Sequence, residues 1–335
     1  MIKVCNLTKE FKTNKKYPGF KGAIKSLFST EYTVTSAVDN MNFEIEEGEV
    51  VGYIGSNGAG KSTTIKMMTG ILTPTSGKVE VNGIIPYENR TENAMNIGVV
   101  FGQRTQLWWD LPLSETFSLL RDIYSVSPED FKERMKFFNE VLEIDEFMLR
   151  PVRTLSLGQR MRADLAASLI HNPKILYLDE PTIGLDVVVK EKVRNAIKQI
   201  NKKYNTTVIL TTHDLEDIEE LCDRIIIIDK GVKIYDGSLS EIKDKYGYMT
   251  NVSILIKKNE LEDKININSY FNLDNNDLNL SDEDGKINIT FNKNKISQME
   301  IIQYFMENYI LQDFSVKETS IDDIIKKSIE KRYNI

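Results

Sequence analysis

The chain has 335 residues, of which 41% are hydrophobic and 28% are charged, the proportions of an ordinary globular protein. Its length suggests about two domains, and its composition excludes wholesale disorder. The formal net charge of -7 disfavours nonspecific nucleic-acid binding, because an acidic surface repels phosphate backbones.

The two cysteines, Cys5 and Cys222, lie far apart in the sequence and indicate neither a disulfide framework nor a zinc cluster. No stretch approaches the roughly 20 apolar residues that span a bilayer. The N-terminus lacks the apolar core of a signal peptide. We therefore expect a cytoplasmic protein, which would need a partner to act at a membrane.

The first residues, Ile2 to Phe11, predict a strand. In the segment 12–31, apolar residues recur at helical spacing. They indicate either a surface helix packed on its own domain or an amphipathic helix that contacts a membrane or a membrane partner. These apolar residues are Phe20, Ala23, Ile24, Leu27 and Phe28.

A phosphate-binding unit is predicted next. The alternating segment Met41–Ile45 and the apolar segment Val50–Ile54 read as strands, and 63–69 reads as a helix. The turn before this helix matches G-x-x-x-x-G-K-[ST] at every fixed position. Its candidate nucleotide-binding residues are Gly55, Ser56, Asn57, Gly58, Ala59, Gly60, Lys61, Ser62 and Thr63.

The chemistry of this turn follows from its residue types. Glycines let the backbone wrap closely and direct N–H groups at phosphate oxygens, and the helix N-terminus adds partial positive charge. Lys61 would reach the β- and γ-phosphates, and the Ser62 hydroxyl would bind Mg²⁺.

A pair of carboxylates follows the apolar strand predicted at 175–178. Asp179, at the carboxyl edge of this strand, can hold Mg²⁺ beside a phosphate loop. Glu180 can act as general base on an attacking water. A helix is predicted at 188–203, and further strands at 208–211 and 225–228.

The segment Leu155-Ser-Leu-Gly-Gln159 opens another helix, after a largely helical stretch at 112–150. A serine and a glycine at a helix N-terminus suit an anion. The alternative is an ordinary serine N-cap.

This set of motifs resembles the ATP-binding subunit of ABC transporters over about residues 1 to 245. In the family order, the motifs here are the phosphate loop at 55–63, the glutamine Gln103 and the signature at 155–159. They are followed by the carboxylate strand at 175–180, the aspartate loop Gly184-Leu185-Asp186 and the histidine His213.

The resemblance implies an α/β P-loop NTPase fold of the ABC-ATPase type. It would have a helical subdomain at about 112–172 and an antiparallel β subdomain. We expect this ATP-binding domain to span 1–247. A small C-terminal α+β domain would follow at 248–335, with strands near 252–256 and 287–291, helices at 296–309 and 320–329, and a polar loop at 272–285.

The resemblance also implies roles at the catalytic centre. Glu180 matches the general base and Asp179 the magnesium carboxylate. His213 matches the histidine that contacts the γ-phosphate and orders the base. Gln103 matches the glutamine that approaches Mg²⁺ and water. His171 has no match, and we expect it at the surface.

Signature positions in the family contact the ATP held by the opposite subunit. Ser156, Gly158 and Gln159 match them, and Asp186 matches the loop that crosses the dimer interface. Leu157 departs from the family, which most often has glycine there. The aromatic residue that stacks on adenine is either Phe11, by local pattern, or Tyr32, by its distance to the loop.

Both tryptophans, Trp108 and Trp109, follow Gln103. They indicate either core packing or an anchor for the membrane subunit that this region faces in the family. This run, the signature and Thr182-Ile-Gly-Leu-Asp186 look most like the ATPases of multidrug-type exporters.

The function implied is an ATPase that binds ATP and Mg²⁺ and powers export through a separate transmembrane permease. Two copies, or one copy and a different ATPase subunit, would form a dimer around two ATP molecules. The dimer would lie at the inner face of the cell membrane and bind no nucleic acid. The alternative is a soluble ABC-type ATPase that acts on the ribosome or DNA. A small-molecule kinase would leave the signature, Asp186 and His213 unexplained.

Overall fold

The structure, a computed structural model, describes residues 1–14, 32–102, 104–247, 249–256, 267–275, 277–283 and 286–318. These residues form two compact units, one from Met1 to Gly237 and one that begins at Ser238. The helical pattern at Phe20–Phe28, the helix predicted at 320–329 and Gln103 lie outside the described residues. The predicted domain boundary at 247/248 stays a prediction.

The first unit contains two sheets and the helices between their strands. Its strands are β1 (Ile2–Asn14), β2 (Tyr32–Ile45), β3 (Val50–Gly55), β4 (Ser76–Val81), β5 (Ile97–Phe101), β6 (Ile175–Asp179), β7 (Thr207–Thr211), β8 (Arg224–Asp229) and β9 (Val232–Ser238). Its helices are α1 (Lys61–Met68), α2 (Arg90–Asn96), α3 (Leu113–Ile123), α4 (Pro128–Leu142), α5 (Leu157–Leu169), α6 (Val187–Tyr204) and α7 (Leu215–Leu221).

The larger sheet has six strands in the order β5-β6-β7-β3-β8-β9. The neighbours from β5 to β8 run parallel. Strands buried on both faces read as continuous apolar runs, and β7 and β8 do so with Val208–Leu210 and Ile225–Ile228 wholly buried. The carboxyl ends of these parallel strands meet at one edge of the sheet, where the phosphate loop follows β3 and Asp179 ends β6.

The smaller sheet is antiparallel, with the order β2-β1-β4. Its apolar face packs on β3, β6, β7, β8 and α1 in one core. Tyr53 and Tyr177 are among the largest wholly buried side chains of this core. Joining the two sheets through a shared core fixes the position of the phosphate loop between β3 and α1.

The second unit contains α8 (Leu239–Tyr246), β10 (Met249–Ile256), α9 (Ile267–Phe271), β11 (Leu278–Glu283), β12 (Lys286–Asn292), α10 (Gln298–Asn308) and β13 (Leu311–Glu318). Its antiparallel sheet has the order β11-β12-β10-β13. From β10 onward, the β-α-β-β-α-β succession is the ferredoxin-like arrangement. Residues of α9 and α10 cover one face of the sheet, and Ile301 and Phe305 of α10 are wholly buried there.

The predicted fold class, α/β with a helical part, an antiparallel β part and a small α+β unit, is confirmed. The polar loop predicted at 272–285 is wrong, because β11 lies within it and pairs with β12. Leu278 is wholly buried in the core of this unit. The alternation of Leu278 and Leu280 was hidden among Asn, Asp and Ser.

No helix in the described ranges combines the length and the apolar character that crossing a membrane requires.

Candidate functional site

The phosphate loop joins the end of β3 to the start of α1, as predicted. Gly58 and Gly60 have φ of 81° and 105°, in the left-handed region that favours glycine. A Cβ on Gly60 would lie 2.4 Å from the carbonyl oxygen of Ala37, and one on Gly55 would lie 2.3 Å from that of Ile228. The close approach of neighbouring backbone therefore requires glycine at both positions.

The Lys61 ammonium lies inside the loop. Its Nζ donates to the carbonyl oxygens of Gly55 at 2.6 Å and Ser56 at 3.2 Å, and the side chain is buried. Burial lowers the pKa of Lys61, while the nearby Glu180 and Asp179 carboxylates oppose this shift. The Ser56 hydroxyl donates to Asp229 at 2.9 Å. The loop thus presents a cation and backbone amides at a helix N-terminus, which suits phosphate oxygens.

The residues predicted to bind Mg²⁺ come together at the end of β6. The Ser62 hydroxyl lies 3.5 Å from Oδ2 of Asp179, and the Thr211 hydroxyl donates to Oδ1 at 2.5 Å. A carboxylate and a hydroxyl are the hard oxygen donors that Mg²⁺ prefers, and they stand beside the phosphate loop. The donor set therefore fits the ion.

Glu180 follows in an unusual backbone conformation. Its φ of 57° is left-handed, which costs a non-glycine residue about 1–2 kcal/mol. The Glu180 N–H donates to the Thr211 carbonyl at 2.8 Å, which holds this turn against β7. Oε1 of Glu180 lies 3.2 Å from Nε2 of His213. The predicted base and the predicted histidine are therefore within hydrogen-bond distance.

The chain that leads to Gln103 runs along the same turn. The Gly102 N–H donates to the Asp179 carbonyl at 2.8 Å. A Cβ on Gly102 would lie 2.3 Å from the carbonyl oxygen of Glu180. The residue before Gln103 must therefore be small, although Gln103 itself is outside the described residues.

The signature residues form a second group. Ser156 caps α5 and accepts from the Gln159 N–H at 3.2 Å, while the Gln159 side chain accepts from the Ser156 N–H. Asp186 caps α6 and accepts from the Val189 N–H at 3.0 Å. A Cβ on Gly158 would lie 2.9 Å from Val189. Across the described ranges, none of these hydrogen bonds joins the signature residues to the phosphate loop.

Comparison with known proteins decides the family. The sequence profile of the family described as "ABC transporter" matches residues 38–183. The chain is 34% identical over 215 residues to the ABC transporter ATP-binding protein NatA of Bacillus subtilis, and the match covers 64% of this chain and 87% of NatA. The chain belongs to the ABC transporter ATP-binding protein family.

Two further similarities support this membership. The linearmycin resistance ATP-binding protein LnrL of Bacillus subtilis is 32% identical over 225 residues, which cover 67% of this chain and 72% of LnrL. Among solved structures, the dimeric ATP-binding cassette MJ0796, in a post-hydrolysis state with ADP and Pi, matches with a TM-score of 0.59 at 29% identity. That match covers 71% of this chain and 99% of the MJ0796 chain.

This ABC ATP-binding chain has a buried ionic cluster that the sequence did not predict. Asp217 is wholly buried and accepts from Nε of Arg194 at 2.6 Å and from the Thr212 hydroxyl at 2.8 Å. The Thr182 hydroxyl also donates to it. Thr182 and Thr212 lie close in sequence to Glu180 and His213, so Asp217 ties both segments to α7. In the sequence, Asp217 is indistinguishable from the exposed acidic residues around it.

Arg194, the partner of Asp217, is almost completely buried. Burial alone lowers the pKa of Arg194, but hydrogen bonds with Asp217 and Glu216 outweigh burial and raise it. The guanidinium therefore stays charged and depends on its carboxylates.

We expect Asp217→Asn to lower the free energy of unfolding by about 3 kcal/mol, since it removes one charge of a buried pair. Glu220→Gln is the matched control, because the partly exposed Glu220 contacts the same guanidinium and should contribute less than about 1 kcal/mol. Guanidinium chloride unfolding measures both. Equal losses in the two variants would contradict the structural importance of Asp217.

A second buried carboxylate holds the segment after Gln103. Asp164 of α5 accepts from the Thr105 hydroxyl at 2.9 Å and the Gln106 N–H at 3.1 Å. Burial raises the pKa of Asp164 to about 6, against an opposing effect of these hydrogen bonds. The Asp164 carboxyl therefore binds a proton more tightly in the folded state than in the unfolded state. The resulting stabilisation is full below about pH 4 and is lost as the pH rises through 6.

Asp164→Asn should be more stable than the wild type at pH 7.5, by about 3 kcal/mol, because it removes the buried charge but keeps an acceptor oxygen. At pH 5, where Asp164 is mostly protonated, about half of this advantage should remain. Urea unfolding at the two pH values measures the difference, with the exposed Asp39→Asn as control. An advantage that does not change with pH would refute the shifted pKa.

A cleft of about 660 Å³ adjoins the loop, and Phe11 lines it together with Ser62, Lys66, Asp179 and Glu180. Tyr32 instead pairs with Asn14, near the far end of β1. Of the two aromatic candidates, Phe11 is therefore the one beside the loop.

Two predictions outside the loop have clear outcomes. His171 is half-buried rather than exposed. It stacks on Tyr124 with ring centroids 3.9 Å apart and hydrogen-bonds the Ile97 carbonyl, and burial lowers the pKa of His171 to about 4. Trp108 and Trp109 are 39% and 50% exposed, which does not support the core-packing alternative.

Proposed function

We propose that this chain is the ATP-hydrolysing subunit of an ABC transporter. One observation carries the proposal: the Glu180 carboxylate, within hydrogen-bond distance of His213, stands next to Asp179 and the phosphate loop. A general base, a candidate magnesium carboxylate and a phosphate cradle at one edge of a sheet are the parts that hydrolysis of a nucleotide requires.

The chain's own residues have distinct tasks in this reaction. The loop amides and Lys61 bind and orient the phosphates, and their positive charge stabilises the charge that develops during phosphoryl transfer. Ser62, Asp179 and the family's glutamine, Gln103, would hold Mg²⁺, which neutralises phosphate charge when bound. Glu180 accepts the proton of the attacking water, and His213 keeps its carboxylate oriented.

Adenine recognition is assigned to Phe11. Its side chain is 40% exposed and lines the cleft beside the loop. The flat face of an aromatic ring can stack on a purine base. Phe11 therefore fits the adenine end of the same site.

A second copy of the chain completes the site in this proposal. In the described residues, Ser156, Gly158 and Gln159 make no hydrogen bond with the loop of their own chain. Gly158 lies beside Val189, whose N–H donates to Asp186. Two copies related by a twofold axis would place each signature opposite the other copy's ATP. The dimeric state of MJ0796 supports this arrangement.

We expect Glu180→Gln to retain ATP binding and to lower kcat by 10²- to 10⁴-fold, because removal of a general base costs about this factor. The variant should also accumulate an ATP-bound dimer. Steady-state ATPase assays, equilibrium ATP binding and the amount of ATP retained by the dimer on gel filtration measure these effects, with the exposed Glu47→Gln as control. Turnover close to that of the control would refute Glu180 as the base.

The membrane partner is a separate permease in this proposal, with the ATPase on the inner face of the cell membrane. Trp108 and Trp109 are exposed between β5 and α3, where large aromatic side chains suit interface anchors. Export is favoured over import by the similarity to LnrL, whose name records resistance to linearmycin. The multidrug-type subgroup rests on the motifs alone.

Affinity purification of the tagged chain from detergent-solubilised native membranes tests this partner. We expect a stoichiometric protein with several spans of about 20 apolar residues. The double change Trp108→Ala and Trp109→Ala should reduce its recovery, whereas the exposed Met299→Ala should not. Recovery with ribosomal or DNA-bound proteins instead would favour the soluble ABC-type ATPase.

A further inference from the structure

Among the described residues, the outer strand of the second unit, β13, has an open edge. In the described part of the chain it pairs only with β10. Its residues from Gln312 to Lys317 are all exposed. An exposed edge strand presents unpaired backbone N–H and C=O groups and is a template for pairing with another strand.

The apolar face of the sheet continues onto this edge. Phe314 pairs with Ile254 and Val316 pairs with Val252, and both partners on β10 are wholly buried in the core of the unit. Phe314 and Val316 are nevertheless 49% and 39% exposed. The core face therefore ends in two partly exposed apolar side chains. A further strand paired alongside β13 would cover them with its own side chains on the same face of the sheet.

The sequence of β13 is complementary to itself in one antiparallel register. If Ser315 of one copy faces Ser315 of another, Phe314 faces Val316 and Asp313 faces Lys317, each pair occurring twice. Aromatic residues opposite β-branched residues, and opposite charges facing each other, are favourable cross-strand pairs. If the two strands were instead centred on Phe314 or on Val316, Asp313 would no longer lie opposite Lys317.

The two kinds of pair also fall on opposite faces of the sheet. Phe314 and Val316 lie on the core face, whereas Asp313, Ser315 and Lys317 lie on the other face, because side chains alternate along a strand. In the single chain, Oδ1 of Asp313 accepts from the Phe314 N–H at 2.8 Å. Pairing with a second strand would replace this bond and leave the carboxylate for the lysine opposite.

We propose that β13 is a homodimerisation strand, which pairs antiparallel with β13 of a second copy about a twofold axis at Ser315. The eight strands of two second units then form one continuous sheet. This contact does not require ATP, in contrast to the dimer of the proposed catalytic cycle, so its failure and the failure of the ATPase assignment are distinguishable.

Cysteine cross-linking of the full chain without nucleotide tests the register. The background is Cys5→Ser, since Cys5 is exposed and Cys222 is buried. Ser315→Cys places two thiols at the axis, with Cα atoms about 4.5–5.5 Å apart, within the range of a disulfide. Gln312→Cys is the control on the same strand, because its two copies would lie about 20 Å apart. We expect a disulfide dimer only with Ser315→Cys.

Charge reversal tests the ion pairs in the native chain by sedimentation velocity without nucleotide. Asp313→Lys and Lys317→Asp should each weaken the dimer by about tenfold or more, since like charges then face each other twice. The double variant should restore it, and Glu307→Lys on α10 should have no effect. A monomeric chain, equal cross-linking at both cysteines, or no rescue by the double variant would overturn the proposal, as would coverage of β13 by residues 319–335.

Discussion

The position of β3 between β7 and β8, with β6 on the other side of β7, is the constraint on which the site depends. Parallel strands end at the same edge of a sheet, so this order brings the phosphate loop close to the segments after β6 and β7. Asp179 and Thr211 then share a hydrogen bond, and Glu180 is held by the Thr211 carbonyl. Residues more than 100 positions apart meet through strand order alone.

The buried cluster around Asp217 connects the segments of this arrangement. A carboxylate without solvent must be fully hydrogen-bonded, and Asp217 reaches that state only when α6, α7 and the segments after β6 and β7 are all in place. Left-handed Glu180 is part of one of these segments. The hydrogen bond between Thr182 and Asp217 therefore helps to hold the segment in which Glu180 adopts its left-handed backbone.

The sequence predicted the elements whose signals are local. The phosphate loop was evident from its spacing, and β6, β7 and β8 from continuous apolar runs. It did not reveal β11 and β13, because alternation in these strands is weak and their place depends on pairing with β12 and β10. Asp217 and Asp164 were missed for a related reason, since burial of a carboxylate depends on tertiary partners that are distant in sequence. His171 was misjudged because nothing local showed that Tyr124 would stack on it.

The strand order of the second unit has a consequence for synthesis of the chain. Its first strand, β10, is hydrogen-bonded on one side to β12 and on the other to the last strand, β13. Contacts between segments this distant in sequence form slowly, and domains generally fold from the N-terminus as the ribosome proceeds. The first unit can fold while the second is still incomplete. Until β13 emerges, β10 is itself an open edge, and any nascent chain that stalls after β12 exposes the apolar strand that the finished protein protects.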